Sequence, residues 1–332
     1  MWNRFVALLG AAGAALLSLA SGPANAAEQI SISNYGVSPG GFPWAIAQEK
    51  GLFKKHGVDI SAIRSSPGSA PTIREMIAGD LPFAEAGITG AIAALKSGAE
   101  LRVIASTVNT FSEVIWVTMP DSPIKTIKDI KGKKIGFTSP KSATNMMAVL
   151  LVKRAGLRQD EVQMIAAGSF AQALTALDTG GVDVIPMVEP TFSIRGSKYR
   201  VLARGNETFA PMSNVLALTT VKAAKEKPEV IRGILAARRE ALDWMLKNPK
   251  ESSEILTKAW KVDAAILENV IIQLRDNGAV DKVAYWGQGN IELKALENIL
   301  EGAMTTGEIT EAFDVRTIID ESFLPADLRS KK

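Results

Sequence analysis

Short apolar runs typical of β-strands alternate with helix-forming segments between residues 30 and 106. The predicted strands are residues 30–35, 58–63, 81–85 and 101–106, and helices are predicted to begin near Trp44, Ser69 and Thr89. Such alternation with short links builds parallel strands joined by crossover helices. In open sheets of this kind, ligands bind at the carboxyl ends of the strands.

A second unit of the same design follows. A strongly apolar strand is predicted at 113–119, a break at 120–123, and further strands at 134–137, 162–166, 182–188 and 215–220, after which the chain is helical. We therefore predict a two-lobed α/β fold, in which each lobe is an open, mostly parallel sheet flanked by helices. Residues 27–117 and 216–332 form the first lobe, residues 118–215 form the second, and two crossing strands form the hinge.

The N-terminal residues have the pattern of a secretory signal peptide. Arg4 precedes an apolar run at 5–19, and Ala24-Asn25-Ala26 has the small-residue form that signal peptidase cleaves. The apolar run is shorter than the roughly 20 residues that cross a bilayer, which makes a retained membrane anchor the weaker alternative. Residues 1–26 are thus predicted to be removed after Ala26 and the protein to be exported.

Composition excludes several classes of function. The chain has no cysteine, one histidine (His56) and a net charge of +3, with 22% charged residues. A thiolate nucleophile and a zinc site with several His or Cys ligands are therefore excluded, and we expect neither a metal nor a cofactor. The small net charge gives no electrostatic footprint for nucleic acid, which is not expected as a partner.

Four segments carry a resemblance to a known family. They are AIAQEKGLFKKHGVDI at 45–60, IKTIKDIKGKKIGF at 124–137, GSFAQALTALDTGGVDVIPMVEP at 168–190 and PEVIRGILAARREALDWMLKNPKESSEILTKAW at 228–260. In this order the chain resembles the periplasmic solute-binding proteins of ABC importers, in the group that binds nitrate, sulfonates, taurine, bicarbonate and thiamine precursors. The resemblance implies the type II binding-protein fold, a periplasmic location, a small-molecule ligand, a permease partner in the inner membrane and a monomer.

Helix starts after Gly-, Ser- or Thr-rich turns are the first candidates for the binding site. Their free N–H groups and partial positive charge suit an anion without any buried lysine. The candidate residues are Gly41, Ser69, Gly87, Ile88, Thr89, Ser142, Ala143 and Thr144. The alternative for each is an ordinary helix cap.

Aromatic and second-lobe residues complete the predicted site. Phe42, Trp44 and Phe111 could wall the cleft, or could pack in the core. Met187 and Glu189 follow a second-lobe strand, where Glu189 could accept a hydrogen bond from the ligand or could belong to a structural Glu-Pro turn. An inward Glu189 would disfavour a simple dianion.

Three functions fit these features. The leading hypothesis is the substrate-binding component of an ABC-type importer for a small organic anion, such as an alkane sulfonate or an aromatic carboxylate. An enzyme resembling the thiamine-pyrimidine synthases is the second, but the resemblance implies a site histidine and a cysteine-rich stretch that this chain lacks. The third is a ligand-binding partner of a membrane sensor.

Overall fold

A computed structural model describes residues 27–140 and 142–330. The predicted signal peptide at 1–26 lies outside the described residues. The strands, in chain order, are β1 (Glu28–Ser33), β2 (Ile60–Ser66), β3 (Ala84–Ala86), β4 (Leu101–Val108), β5 (Val114–Thr118), β6 (Lys134–Phe137), β7 (Gln163–Ala166), β8 (Ile185–Val188), β9 (Arg200–Arg204), β10 (Val215–Thr220) and β11 (Trp286–Gly289).

Helices connect these strands and cover the sheets. In chain order they are α1 (Phe42–Glu49), α2 (Leu52–Lys55), α3 (Ser69–Ala78), α4 (Ile88–Lys96), α5 (Ala143–Arg154), α6 (Phe170–Asp178), α7 (Thr191–Arg195), α8 (Gly205–Thr208), α9 (Val221–Glu226), α10 (Pro228–Lys247), α11 (Pro249–Trp260), α12 (Ala264–Asn277) and α13 (Leu293–Thr305).

The first sheet has the strand order β11-β4-β10-β3-β1-β2. Strands β1, β2 and β3 pair in parallel, and β10 pairs antiparallel with both β3 and β4. Strands β1 to β4 therefore all run in one direction, and β10 is inserted against them. Strand β11 adds an antiparallel edge beside β4.

The second sheet repeats this arrangement. Strand β5 pairs antiparallel with both β8 and β9, and β6 pairs in parallel with β7. A parallel bridge between Ile135 and Val184 joins β6 to the residue just before β8. The resulting order β7-β6-β8-β5-β9 matches β2-β1-β3-β10-β4. Each sheet therefore contains four strands of one direction and one inserted strand that arrives from the other sheet, and the first sheet has β11 in addition.

The crossings between the sheets differ in detail from the sequence expectation. Strand β5 belongs to the second sheet, so the chain leaves the first sheet between residues 108 and 114, and the boundary expected at 117 lies inside β5. The return runs from the end of β9 at Arg204 to the start of β10 at Val215. Both crossing segments, 109–113 and 205–214, are turns and loops with the short helix α8, where two crossing strands were expected.

Helix α10 shows why the helical return packs on the first lobe. Its buried residues recur every three or four positions, which places them on one face. They include Ile231, Ile234, Leu242 and Met245, each of them fully buried. This face packs against α1 and α2, and burying each such side chain contributes roughly 1.5 to 3 kcal/mol.

One core cluster spans both lobes. It joins residues of α3, α4 and β4 in the first lobe to residues of β6 and α5 in the second. Helix α13 contacts both α4 and α5, and its Leu296 and Ile299 belong to the same cluster. The remaining core is divided between a first-lobe cluster beneath α1 and α10 and a smaller second-lobe cluster around α6.

Candidate functional site

The predicted site segments all follow strands at the two sheet edges where the lobes are joined. Strands β1 to β4 end at one edge, where β10 and β11 begin, and strands β6 to β9 end at the other edge, where β5 begins. The chain crosses from the end of β4 to the start of β5, so these two edges face each other. We call them the facing edges.

The starts of α3 and α4 meet at the first facing edge. The Gly87 N–H donates to Ser69 Oγ over 2.9 Å. A Cβ added at Gly90 would lie 2.6 Å from Ser69 Cβ, so only glycine allows this approach. A Cβ added at Gly87 would lie 3.4 Å from the backbone oxygen of Asn214, on the returning crossing segment. Two helix starts and one crossing segment therefore lie side by side.

Helix α4 begins two residues earlier than expected. The sequence predicts Thr89 as its cap, but Gly87 occupies the cap position and no side chain accepts a hydrogen bond there. Ile88 is fully buried in the core, while Thr89 is half-buried in the first turn. The N–H groups of this helix start are thus left without a side-chain cap at the facing edge.

A cluster of hydroxyl groups follows β6 at the second facing edge. Ser142 caps α5 by accepting from the Asn145 N–H over 3.2 Å, and Thr144 Oγ1 accepts from the Thr138 N–H over 2.9 Å. The Thr138, Ser142 and Thr144 hydroxyls lie 2.7 to 3.2 Å from one another. Ala143 is the first residue of this helix and is half-buried. Hydroxyls of this kind can cap a helix, as Ser142 does, and ligand binding by them stays a prediction.

The predicted aromatic wall is packed into the first lobe. Phe42 and Trp44 are both fully buried, and Trp44 Nε1 donates to Glu85 Oε2 over 2.7 Å. Gly41 lies against the Trp260 ring, which also meets Phe42 edge-on with 4.9 Å between ring centres. The structure therefore shows core packing for Phe42 and Trp44, and a ligand contact by either ring stays a prediction.

Phe111 and Met187 are also buried, each with 2% of its surface exposed. Phe111 lies on the first crossing segment and meets the Phe209 ring edge-on. Met187 lies in the second-lobe core around α6. In both residues the side chain packs against the protein, so their contact with a ligand also stays a prediction.

Two buried glutamates meet where the lobes join. The Glu189 N–H donates to the backbone oxygen of Glu113 over 3.0 Å, and Glu189 Oε2 accepts from the Ser193 N–H over 3.1 Å. Burial raises the pKa of Glu189. Glu113 Oε1 accepts from Asn214 Nδ2 over 2.9 Å, and burial raises the pKa of Glu113 to about 8. The Asn214–Glu113 bond ties the first facing edge to the second.

Four buried polar atoms at this junction have no hydrogen-bond partner within the described part of the chain. They are Asn109 Oδ1, Glu113 Oε2, Ser213 Oγ and Tyr285 Oη. Asn109 follows β4, Ser213 precedes β10 and Tyr285 precedes β11, so they come from three neighbouring strands. Sequence reasoning missed all four. Two signals were available in the sequence: a glutamate directly before the mainly apolar strand β5, and the Ser213-Asn214 pair directly before the mainly apolar strand β10.

Two cavities lie elsewhere, on the outer side of α10. One of about 570 Å³ lies between α10, β11 and the C-terminal turns around Leu324, and one of about 630 Å³ lies near Glu226 and Pro228. Charged residues at their rims already have partners, such as Glu240 with Lys55 and His56. We place the candidate site at the facing edges, because both lobes contribute residues there and four buried polar atoms have no hydrogen-bond partner in the described chain.

Comparison with known proteins shows which family the chain belongs to. The model of the family described as NMT1/THI5 like matches residues 39–252 of the 332. The chain belongs to this family. A binding protein of Brucella abortus is 30% identical over 230 residues, which cover 68% of this chain and 69% of that protein. An aliphatic sulfonates-binding protein of Bacillus subtilis is 23% identical over 311 residues, which cover 92% and 90% of the two chains.

A solved structure confirms the predicted fold class. The periplasmic aliphatic sulphonate binding protein SsuA from Escherichia coli superposes with a TM-score of 0.70 at 20% identity, covering 92% of this chain and 94% of that one. The NMT1/THI5-like chain therefore has the fold of the periplasmic binding proteins. Among its described residues, no helix combines the length and the apolar character needed to span a bilayer.

One relative of the chain is an enzyme. The 4-amino-5-hydroxymethyl-2-methylpyrimidine phosphate synthase THI11 of Saccharomyces cerevisiae is 24% identical over 245 residues, covering 69% of this chain and 68% of the synthase. In this NMT1/THI5-like protein, the one histidine lies far from the facing edges, with His56 Nε2 2.8 Å from Glu240 Oε2. The aliphatic sulfonates-binding protein of Bacillus subtilis and SsuA of Escherichia coli, which each cover 92% of this chain, are binding proteins, and this chain is a binding protein rather than an enzyme.

Proposed function

We propose that this protein is the substrate-binding component of an ABC-type importer and that it captures a small organic anion, such as an alkane sulfonate or an aromatic carboxylate, between its facing edges. One observation supports the site above all others. Within the described residues, the starts of α3 and α4, the Asn214–Glu113 bond and four buried polar atoms without a hydrogen-bond partner all occur at the junction of the two lobes.

The groups at the facing edges favour a negatively charged ligand. The start of α4 has free N–H groups, and three hydroxyls cluster at the start of α5. Helix starts and hydroxyls are hydrogen-bond donors that suit sulfonate or carboxylate oxygens. The sulfonate-binding relatives bind an anion of the same kind by their names.

A thermal-shift screen tests the ligand class. Hexanesulfonate and benzoate are the probes, nitrate tests a bare inorganic anion, and hexylamine is the control of opposite charge. A ligand at about 100 times its Kd stabilises the native state by about 2.7 kcal/mol, which raises Tm. Folded protein with no shift for either organic anion would contradict the proposal.

Export, the permease and the oligomeric state complete the proposal. We propose cleavage after Ala26, release into the periplasm as a monomer, and delivery of the ligand to an inner-membrane permease. N-terminal sequencing of the protein recovered from the periplasm should begin at Ala27, and light scattering should give the mass of one chain. An uncleaved N-terminus in the recovered protein would contradict this step.

A further inference from the structure

Glu113 is a buried carboxyl group without a cation. Its surface is 4% exposed, and no Lys, Arg or His of the described chain lies within 4 Å of its oxygens. One amide donor, Asn214 Nδ2, contacts Oε1, and no described residue makes a hydrogen bond with Oε2. An ionised carboxylate in such surroundings loses its hydration and gains only the Asn214 amide and its own backbone N–H as donors, which do not offset the loss and leave the neutral acid favoured.

The groups around Glu113 do not change this conclusion. Tyr285 faces it from the segment before β11, and its pKa is raised by burial and by Glu113, Glu85 and Glu189. Burial also raises the pKa of Glu85, although Arg238 Nε lies 3.6 Å from its Oε1 and opposes the shift. Burial raises the pKa of Glu189 in the same way, and the positive charge of Arg204 opposes that shift. Burial raises the pKa of Glu113 to about 8, in agreement with its geometry.

A neutral Glu113 makes the junction a donor site. Its O–H adds to the hydroxyls of Tyr285 and Ser213, which are buried and have no hydrogen-bond partner of ordinary geometry among the described residues. Ser38, which follows β1, approaches the Tyr285 hydroxyl without completing a hydrogen bond of ordinary geometry. The backbone connects these groups closely, since the Asn109 N–H donates to the Tyr285 oxygen over 2.9 Å and the Met212 N–H to the Asn109 oxygen over 3.0 Å.

We propose that Glu113 is held as a neutral carboxylic acid and that, with the hydroxyls of Tyr285 and Ser213, it donates hydrogen bonds to an anionic oxygen of the ligand. This inference rests on the proposed function and specifies how the site selects charge. A neutral acid supplies a donor without any positive charge, whereas an ionised Glu113 would repel the same anion. Deprotonation of this one group therefore switches the site from accepting anions to rejecting them.

Calorimetric titration across pH tests the inference. The probes are hexanesulfonate and hexylamine, which share a six-carbon body and differ in the sign of their charge. Wild type should bind hexanesulfonate with constant affinity below about pH 7 and lose about tenfold per pH unit above the pKa of Glu113, because the protonated fraction falls tenfold per unit. Hexylamine should bind more weakly at every pH below that point.

Two variants isolate the role of the acid. Glu113→Gln keeps an N–H donor and cannot ionise, so it should still bind hexanesulfonate at about pH 6 and should lose the pH dependence. Tyr285→Phe removes an unpartnered hydroxyl, so it should fold normally and weaken hexanesulfonate binding by about tenfold. Glu240→Gln, on the outer side of α10, is the matched control and should behave like wild type, which would also exclude the outer cavity.

The outcomes separate this inference from the proposed function. Parallel loss of affinity in wild type and Glu113→Gln, or tighter binding of hexylamine, would overturn the role of Glu113 while leaving the receptor intact. Failure of folded wild type to bind hexanesulfonate or benzoate at any pH would overturn the proposed ligand class and the donor role together. The protonation state of Glu113 can still be tested without a ligand, by measuring the free energy of unfolding as a function of pH. Equal pH dependence in wild type and Glu113→Gln would show that Glu113 is ionised in the folded protein.

Discussion

Trp44 joins the start of α1 to strand β3 through one buried hydrogen bond. Its indole N–H donates to Glu85 Oε2 over 2.7 Å, and Glu85 Oε1 lies 3.6 Å from Arg238 Nε. Arg238 in turn donates to the backbone oxygens of Gly287 and Thr107. Because all three side chains are at least 98% buried, each polar group depends on the others for its partner.

Replacing Trp44 by phenylalanine should destabilise the fold. The variant leaves Glu85 Oε2 without its donor, which costs about 1 to 3 kcal/mol of unfolding free energy, and loses packing in addition. Urea denaturation measures the change. Trp260→Phe is the matched control, because Trp260 Nε1 has no hydrogen-bond partner in the described chain and its loss removes no bond. Equal effects in the two variants would contradict the assigned role of the Trp44 bond.

The stability of the ligand-free protein should fall as pH rises through the titration of Glu113. Its folded pKa of about 8 lies above the ordinary 4.5, so between these values the native state binds a proton that the unfolded state has released. The contribution is therefore complete below about pH 4.5 and lost progressively toward pH 8, by at most about 1.4 kcal/mol per pH unit. Glu113→Gln should remove this component from unfolding curves recorded between about pH 5 and pH 8.

The directions and neighbours of individual side chains were the features that the sequence predicted least well. The ends of the strands could be located from apolar runs and turn residues, and this placed Ser69, Gly87 and Ser142 at the facing edges. The direction of a side chain depends on packing between distant segments, such as Trp44 with Glu85, which local patterns do not encode. Glu113, Ser213 and Tyr285 were missed for the same reason, because they become neighbours only when three strands meet.

At the scale of elements, the close approach of α3 and α4 depends on glycine. Gly90→Ala would place a Cβ 2.6 Å from Ser69 Cβ, so the two helix starts must separate. Such overpacking costs about 1 to 3 kcal/mol, and we expect ligand affinity to fall with it, since both starts belong to the proposed site. Chemical denaturation and calorimetry measure the two effects.

A double variant serves as the control. Ser69→Gly removes the atom that the new Cβ would meet, so Ser69→Gly with Gly90→Ala should be less destabilised than the sum of the two single changes. Additive effects would show that the two residues do not limit the approach of the helices.

Elements with strong periodicity could be predicted well. The stripe of apolar residues between 228 and 246 is typical of a helix, in the region predicted to be helical, and the structure has α10 at Pro228–Lys247. The strand predicted at 113–119 is observed as Val114–Thr118, but its place in the second sheet was not predicted. A strand's own pattern shows that it is buried and does not show which strands it pairs with.

At the scale of the whole molecule, the two lobes share one core cluster. Met146 on α5 is 1% exposed and belongs to this cluster, together with Leu296 and Ile299 of α13. Helix α13, at the end of the chain's helical return, therefore packs on both lobes. We expect the lobes to unfold together despite their separate sheets.

Met146→Ala should destabilise both lobes at once. Removing a buried methionine side chain typically costs about 2 to 5 kcal/mol. Differential scanning calorimetry should show one transition in wild type and one shifted transition in the variant. Val182→Ala, in the separate second-lobe cluster, is the comparison. Two resolved transitions in wild type, with one of them unchanged by Met146→Ala, would contradict a shared core.

Hydrogen–deuterium exchange with and without saturating hexanesulfonate is the most direct test of a ligand held between the facing edges. We expect slower exchange on both sides of the junction, at residues 66–69, 86–90, 109–114, 142–145 and 189–193, and no change around the outer cavity at 232–240 and 323–329. Slower exchange confined to the outer cavity, or to the segments of one lobe, would contradict it.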